Sequence, residues 1–237
     1  MNIGCIVQAR LGSKRFPKKI LKTIKRKTIL EIVKSRLEKI KSVNTIVFAI
    51  PQNKKNHELE KFLKKKNFLY HKGSEKNVLQ RYYFTAKKYQ LDIIIRITSD
   101  CPLIDPYLCE KMLQCFIKEK CNYLSNILKR TYPVGLDCEI FDFKTLKKSY
   151  KLTNNKFNLE HVTPYMRKSK LFKKINYTND TNSHGSQRWT LDYPEDLKFI
   201  KIAFEEFGAF SFFSWKKLYK LYKIKFKFHQ FPNKKYI

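Results

Sequence analysis

Mainly apolar runs of strand length, separated by amphipathic helical patterns, restrict the fold of this chain more than any other feature. Three such runs lie in the first hundred residues, as IGCIVQA from residue 3, TIVFAIP from residue 45 and DIIIRITSD from residue 92. A strand that is apolar on both faces needs cover on both sides, which is typical of parallel sheets between layers of helices. The sequence therefore predicts an α/β protein with a mostly parallel central sheet flanked by helices.

Helical patterns fill the intervals between these runs. Apolar residues recur on one helical stripe in residues 28–40, and a short strand, FLYH, follows a lysine-rich helix. The first-half helices are predicted at 28–40, at 58–66, from about residue 75, and at 105–117.

The second half has a less regular rhythm. We predict a loop and a strand in YPVGLDCEIFDF, one short helix in NLEHVTPYMRK, strands in KKINYT and SQRWTLDYP, and a helix at 194–207. No linker rich in Gly, Pro or Ser and no internal repeat divides the chain. A single domain over residues 1–237 is therefore expected, with halves at 1–125 and 126–237.

Charge is the most unusual bulk property, because 51 Lys and Arg residues face 20 Asp and Glu residues and give a formal net charge of +31. A charge of this size suits a protein that binds nucleic acid or an anionic membrane. Nearly all of the cations are lysines, however, and they are spread over every predicted helix. That distribution favours drift in composition, so we expect no specific nucleic-acid partner.

Cellular location is indicated by what the sequence lacks. No apolar run approaches the roughly 18–20 residues of a membrane-spanning helix, so no membrane insertion is expected. The first residues have no charged and apolar regions typical of a secretory signal. Six cysteines without a CxxC pair favour buried thiols in a reducing cytoplasm over a zinc or disulfide framework. A cytoplasmic protein is expected.

The loop after the first apolar run, in ARLGSKRFPKK, is the first candidate binding site. Clustered cations repel one another, so such a turn needs either solvent or an anion. A small, permissive backbone flanked by Arg forks and Lys charges suits a di- or triphosphate. The spacing is not that of a Walker loop, and a solvated basic turn remains the alternative. The residues concerned are Arg10, Gly12, Ser13, Lys14, Arg15, Lys18 and Lys19.

Two aspartates follow predicted strands, where ligands of parallel sheets bind. Asp100 ends the third apolar run, and Asp192 ends the predicted strand in RWTLDYP. Each could instead begin a helix, although Asp105, followed by Pro106, is the better helix cap. Two such carboxylates facing a phosphate loop describe a site for Mg²⁺ and nucleotidyl transfer.

Four further residues are candidates for contact with an acceptor. Arg130 and Tyr132 could bind a carboxylate, since the Arg fork matches that group, and a structural role is equally open. His161 could touch the acceptor or lie in a helix or dimer contact. His184 could act in the same way or be solvated.

These motifs together resemble the SpsF-type branch of the cytidylyltransferases, whose relatives include the CMP-Kdo and CMP-sialic acid synthetases. The likeness covers roughly residues 3 to 207 and rests on several motifs in order. They are IVQARLGSKRFPKKIL, GSEKNVLQRYY, DIIIRITSDCPLIDP, YPVGLDCEIF, EHVTPY and RWTLDYPEDL.

The resemblance implies a GT-A-like fold and an enzyme that joins CTP to a sugar acid, giving a CMP-activated sugar and pyrophosphate. It assigns nucleotide binding to residues 1–125 and the acceptor side and closing elements to 126–237. Related enzymes are often dimers. Lys18 stands where this branch usually has Gly, which could stiffen or recharge the loop.

The resemblance also implies roles for single residues. Arg10, Gly12, Ser13, Arg15 and Lys19 match the loop that holds the CTP phosphates, with Arg15 and Lys19 stabilising the leaving group. Gly73, Ser74 and Arg81 match a segment that approaches the nucleoside. Asp100 and Asp192 match the pair that binds Mg²⁺.

A different class of function remains as an alternative. The segment FFSWKKLYKLYKIKFKFHQF interleaves aromatic residues with lysines, as in proteins that bind RNA. On that interpretation the chain is a basic polyanion-binding protein on an inactive transferase fold.

Overall fold

Seven strands form one central sheet in the computed structural model of the chain, which describes residues 1–179, 184–208 and 213–225. Strands of this part are β1 (Ile3–Gln8), β2 (Thr23–Ile24), β3 (Lys27–Thr28), β4 (Thr45–Pro51), β5 (Tyr70–Gly73), β6 (Ile93–Thr98), β7 (Tyr123–Ser125), β8 (Glu139–Asp142) and β9 (Lys174–Asn176). The sheet order is β5-β4-β1-β6-β8-β7-β9, and β2 pairs with β3 in a separate hairpin that the sequence did not predict.

The sheet is mostly parallel, as predicted. Within the described ranges, β8 alone runs against its neighbours, pairing antiparallel with both β6 and β7. Arg96 on β6 faces Glu139 on β8 in this register. The reversal places the start of β8 at the carboxyl end of β6, beside the strand ends where ligands of such sheets bind.

Helices cover both faces of the sheet. In the described chain they are α1 (Ile29–Leu37), α2 (His57–Lys65), α3 (Val78–Lys88), α4 (Pro106–Glu119), α5 (Phe143–Leu152), α6 (Lys156–His161), α7 (Pro164–Lys168), α8 (Asp196–Phe207) and α9 (Trp215–Lys225). Ile6 packs in one apolar cluster with residues of α3 and α5, while Val7 packs in the other with residues of α1, α4 and α8. Alternate residues of a strand therefore pack into two apolar cores, one on each face of the sheet.

Local signals fix several helix starts. Thr28 and Glu31 form a capping box at α1. Asp105 caps α4 with hydrogen bonds to the next turn, and Pro106 occupies the first helical position, as predicted. Asn77 caps α3, which explains why this helix begins at Val78 and not near residue 75.

Two second-half predictions were wrong. SQRWTLDYP forms no strand and contributes one isolated bridge, between Arg188 and Val134. NLEHVTPYMRK forms two short helices, α6 and α7, because the chain turns sharply at Val162, where φ is 71°.

Two expectations from composition can be compared directly with the structure. All six cysteines are free thiols, and all but Cys115 are buried. Among the described residues, no helix combines the length and the apolar character needed to cross a bilayer. The basic and aromatic tail forms α9 up to Lys225, and its remainder at 226–237 lies outside the described residues.

Candidate active site

The loop from Arg10 to Lys19 follows β1 and is anchored by two buried apolar side chains, Leu11 and Phe16. The backbone N–H of Leu11 donates to Oδ1 of Asn56 at 2.9 Å, and that of Phe16 donates to Oγ of Ser13 at 3.3 Å. A Cβ added at Gly12 would meet no atom within 4 Å. The anchored loop therefore leaves its Gly12 backbone facing open space at the carboxyl edge of the sheet.

Lys18 has a left-handed backbone, with φ 54° and ψ 25°. This conformation costs a residue with a Cβ about 1–2 kcal/mol, whereas Gly adopts it freely. Glycine at this position would therefore suit the turn better than lysine does. The Lys18 ammonium pairs at the surface with Glu58 at 2.6 Å, while the next residue, Lys19, is buried.

Lys19 joins the two aspartates. Its Nζ donates to Oδ2 of Asp100 at 2.8 Å and to Oδ1 of Asp192 at 3.0 Å, and Nη2 of Arg15 donates to the same Asp192 oxygen at 2.9 Å. Burial alone would lower the pKa of Lys19, but the charges of Asp100 and Asp192 outweigh burial and raise it. We call these four residues the Lys19 clamp, in which two cations balance two carboxylates.

A turn, and not the predicted strand, carries Asp192 to this position. The backbone N–H groups of Asp192 and Tyr193 both donate to Oδ2 of Asp196, at 2.7 and 2.8 Å. Asp196 is held in turn by a double hydrogen bond from Arg188, and both side chains of this pair are buried. Leu191 donates its N–H to the carbonyl of Asp100 at 2.8 Å, which fixes the two aspartates side by side.

The donor set of the clamp fits Mg²⁺. Two carboxylates converge on one cationic atom, and Mg²⁺ is commonly held by one or two carboxylates together with substrate phosphates. No cluster of three or more His, Cys, Asp or Glu residues suited to a metal occurs in the described chain. Asp100 and Asp192 would therefore hold Mg²⁺ together with a phosphate ligand, after Lys19 has left them.

The segment predicted to approach the nucleoside lies at the end of β5. Arg81 on α3 packs under it: the Arg81 guanidinium donates to the carbonyl of Ser74, and a Cβ on Gly73 would lie 3.0 Å from Cγ of Arg81. Burial and the nearby Arg10 charge lower the pKa of Arg81 to about 10. Its Nε has no hydrogen-bond partner within the described part of the protein, so this N–H group is available as a hydrogen-bond donor.

Three of the four acceptor candidates are neighbours, because the backbone N–H of His184 donates to the carbonyl of Thr131, between Arg130 and Tyr132, at 2.9 Å. Arg130 forms a double hydrogen bond with Asp137, at 2.6 and 3.0 Å, and Tyr132 is buried with its hydroxyl on the carbonyl of Thr178. His161 is exposed and its ring contacts Phe157, with centroids 4.5 Å apart. His184 packs against Tyr219 at a centroid distance of 4.1 Å.

Sequence reasoning missed one charged cluster beside these residues. Arg96, Glu139 and Arg167 form ion pairs, and Glu139 also accepts a hydrogen bond from the hydroxyl of Tyr123. Arg96 and Glu139 each interrupt an apolar strand pattern, in IIIRIT and CEIF. A charge inside such a run was the available signal, because buried charges are costly unless paired.

Comparisons with known proteins agree with one another. A family model described as cytidylyltransferase matches residues 4–217. The spore coat polysaccharide biosynthesis protein SpsF of Bacillus subtilis is 27% identical over 211 residues, which cover 86% of this chain and 86% of that protein.

Solved structures share the fold. A cytidylyltransferase from Leptospira borgpetersenii is 31% identical, with a TM-score of 0.90 and coverage of 98% of each chain. The synthetase of CMP and 2-keto-3-deoxy-manno-octonic acid, solved with CTP, is 15% identical, with a TM-score of 0.65 over 87% of this chain and 99% of that one. The second likeness supports the architecture alone.

Proposed function

This chain belongs to the cytidylyltransferase family of nucleotidyltransferases, and we propose that it transfers the cytidylyl group of CTP to a sugar acid. The products would be a CMP-activated sugar and pyrophosphate. SpsF, a relative, is named for polysaccharide biosynthesis, and a structural neighbour is a CMP-Kdo synthetase solved with CTP. The name of SpsF supports a surface polysaccharide as the destination of the product, and a sugar acid as the acceptor is suggested by the name of a protein that shares the fold.

One observation carries this proposal: the Lys19 clamp lies directly beside an open, cationic loop at the strand ends. A triphosphate on the loop would compete with Asp100 and Asp192 for the charges of Arg15 and Lys19. The exchange would free both carboxylates at the moment when phosphate oxygens arrive. Mg²⁺, when bound there with the nucleotide, supplies charge neutralisation along the triphosphate.

The reaction needs no covalent enzyme intermediate. An acceptor hydroxyl oxygen forms a bond to the α-phosphorus of CTP as the bond from that phosphorus to the pyrophosphate oxygen breaks, and the hydroxyl proton passes to solvent water. Lys19 and Arg15 stabilise the charge that grows on the departing pyrophosphate. Positioning and charge neutralisation account for most of the acceleration in this class of chemistry.

Residues 1–125 bind the nucleotide in this proposal, through Arg10, Gly12, Ser13 and the Gly73–Ser74–Arg81 segment. Residues 126–237 supply the acceptor side, which includes Arg130 and His161. We place the enzyme in the cytoplasm, because the reaction consumes CTP and the six thiols are free.

Calorimetric titration with CTP, UTP, ATP and GTP, with and without Mg²⁺ at moderate salt, tests the nucleotide half. We expect tight binding of CTP, strengthened by Mg²⁺, and no tight binding of the other three nucleotides. Equal and weak binding of all four, fading as salt rises, would refute the enzyme and favour a polyanion-binding protein, because such binding is set by charge alone.

Pyrophosphate release tests the acceptor half. The protein is incubated with CTP and Mg²⁺ together with 3-deoxy-manno-octulosonic acid, N-acetylneuraminic acid or neutral hexoses. Release is expected with an acid and not with the neutral sugars. Release with neutral sugars alone would keep the nucleotidyltransferase and reject the acid acceptor.

A further inference from the structure

We call Arg96, Tyr123, Glu139 and Arg167 the Glu139 cluster, and its carboxylate lies at the start of β8, beside the carboxyl end of β6. Glu139 begins β8, opposite Arg96, and its side chain is 2% exposed. Nη2 of Arg167 donates to Oε2 of Glu139 at 2.8 Å, and Nε of Arg167 donates to the Tyr123 hydroxyl at 3.2 Å. The single carboxylate of the cluster is thus shared between two guanidinium groups.

The cluster carries an excess positive charge. Burial opposes ionisation of Glu139, but the charges of Arg96 and Arg167 outweigh it and lower the pKa of Glu139 to about 2. Burial raises the pKa of Tyr123, which keeps its hydroxyl neutral. Two cations and one anion leave one net positive charge at neutral pH, and a charge in this surrounding needs a partner.

That charge reaches the surface at Arg167. The Arg167 side chain is 32% exposed, whereas Arg96 is largely enclosed at 13%. Two of the three guanidinium nitrogens of Arg167 are engaged by Glu139 and Tyr123, and Nη1 has no hydrogen-bond partner among the residues that the structure describes. The guanidinium is therefore fixed on one edge and open on the other, as in a preorganised anion contact.

The backbone that leads into α7, which carries Arg167, has a strained turn at Val162. Val162 has φ 71° and ψ −57°, and the N–H of Thr163 donates to the carbonyl of His161 at 2.8 Å, which closes a γ-turn around it. A β-branched residue rarely adopts this conformation. Val162 is fully buried, and α7 starts two residues later, at Pro164. Strain held by a packed core is typical of segments that position a functional group.

Arg130, the residue that the sequence singled out for a carboxylate, is a weaker choice. Its guanidinium meets both oxygens of Asp137, so its charge is balanced. It lies close enough to Arg167 for the two cations to repel one another. An acid bound near Arg130 would therefore also meet the uncompensated charge of Arg167.

We propose that Arg167 determines specificity for acid acceptors. The open edge of its guanidinium binds the acceptor carboxylate, and the excess positive charge of the Glu139 cluster attracts that carboxylate. Glu139 and Tyr123 are positioning residues that hold the guanidinium in place. This inference rests on the proposed function, because it names the group that recognises the acid.

Binding without turnover tests the assignment. Wild-type protein saturated with α,β-methylene-CTP is titrated with 3-deoxy-manno-octulosonic acid, N-acetylneuraminic acid and the methyl ester of each. Wild type is expected to bind an acid at least tenfold more tightly than its ester. Arg167→Gln should reduce this preference to within twofold, with its affinity for the nucleotide analogue unchanged within twofold.

The control is Lys168→Gln, which removes the same charge from the next, exposed residue of α7 and should keep the full preference. Arg167→Lys keeps the charge and loses the fork, so its preference should fall at least threefold even if Arg167→Gln folds poorly. If both Arg167 variants keep the full preference for the acid over its ester, this inference is overturned, and the proposal of an acid acceptor is retained. If the wild type binds the acids no better than the esters, both the role of Arg167 and the acid acceptor are overturned. The selectivity for CTP then still tests separately whether the protein is a nucleotidyltransferase.

Discussion

Replacing Lys19 by Met should make the free protein bind a divalent cation more tightly. The Lys19 ammonium occupies the position between Asp100 and Asp192 that a metal would need. A metal that arrives alone must displace this ammonium, whereas one that arrives with a triphosphate does not, because the phosphates attract Lys19. Methionine has a similar length and no charge, so it leaves the carboxylates available.

The size of the effect follows from the contacts that the metal must break. A hydrogen bond to a charged group contributes about 1.5–3 kcal/mol. The two bonds share one ammonium, which regains water when it leaves, so we count them as one. At 1.4 kcal/mol per tenfold change, affinity for Mn²⁺ without nucleotide should rise roughly 10- to 100-fold.

Electron paramagnetic resonance of free Mn²⁺ measures this affinity directly, with and without α,β-methylene-CTP. Lys18→Gln is the matched control, because Lys18 is the neighbouring lysine and pairs with Glu58 at the surface. The advantage of Lys19→Met should shrink when the nucleotide analogue is present. A Lys19→Met protein that binds Mn²⁺ no more tightly than wild type would show that the Lys19 ammonium does not compete with a metal for the two carboxylates.

Other substitutions test the site and its support. Asp100→Asn should retain the melting temperature within a few degrees and lose at least 100-fold in pyrophosphate release, and normal turnover would reject a metal role for Asp100. Wild-type stability should fall as pH drops from about 4.5 to about 2, because folding lowers the pKa of Glu139 from 4.5 to about 2 and its contribution is complete only above the unfolded value. Acid titration of Glu139→Gln should therefore show a flatter decline in unfolding free energy over that window, and an unchanged slope would contradict this assignment. Asp196→Asn should lower the unfolding free energy in urea by about 3–5 kcal/mol, because it removes the carboxylate charge that balances the buried guanidinium of Arg188, whereas Glu195→Gln, an exposed neighbour, should cost less than about 0.5 kcal/mol.

The first half of the chain, residues 1–125, was predictable because its elements are locally determined. Apolar runs placed β1, β4 and β6, and Asp105 followed by Pro106 marked the start of α4. The predicted site segments of this half directly follow strands. Strand ends of a parallel sheet meet at one edge, so the sequence could bring the Arg10–Lys19 loop and Asp100 together.

The other half depends on contacts that sequence patterns do not show. Asp192 reaches Asp100 through hydrogen bonds to Asp196, which is itself paired with Arg188, and not through strand pairing. The γ-turn at Val162 divides one predicted helix into two. The role of Lys19 as a bridge depends on residues 81 and 173 positions away, a distance over which periodicity has no information.

The distribution of arginine in this lysine-rich chain now has a physical meaning. The sequence has nine arginines among its 51 basic residues. One is in the exposed β2–β3 hairpin, and another, Arg36, is buried and donates to backbone carbonyls. The remaining seven belong to the loop, to the clamp and its support, or to the neighbouring segments at the carboxyl edge of the sheet: Arg10, Arg15, Arg81, Arg96, Arg130, Arg167 and Arg188.

An ammonium replaces a guanidinium without loss where only charge is needed, but not where a planar fork meets two acceptors. Replacing each of the seven arginines by lysine would therefore show at which positions of this edge the fork geometry matters and at which the charge alone suffices.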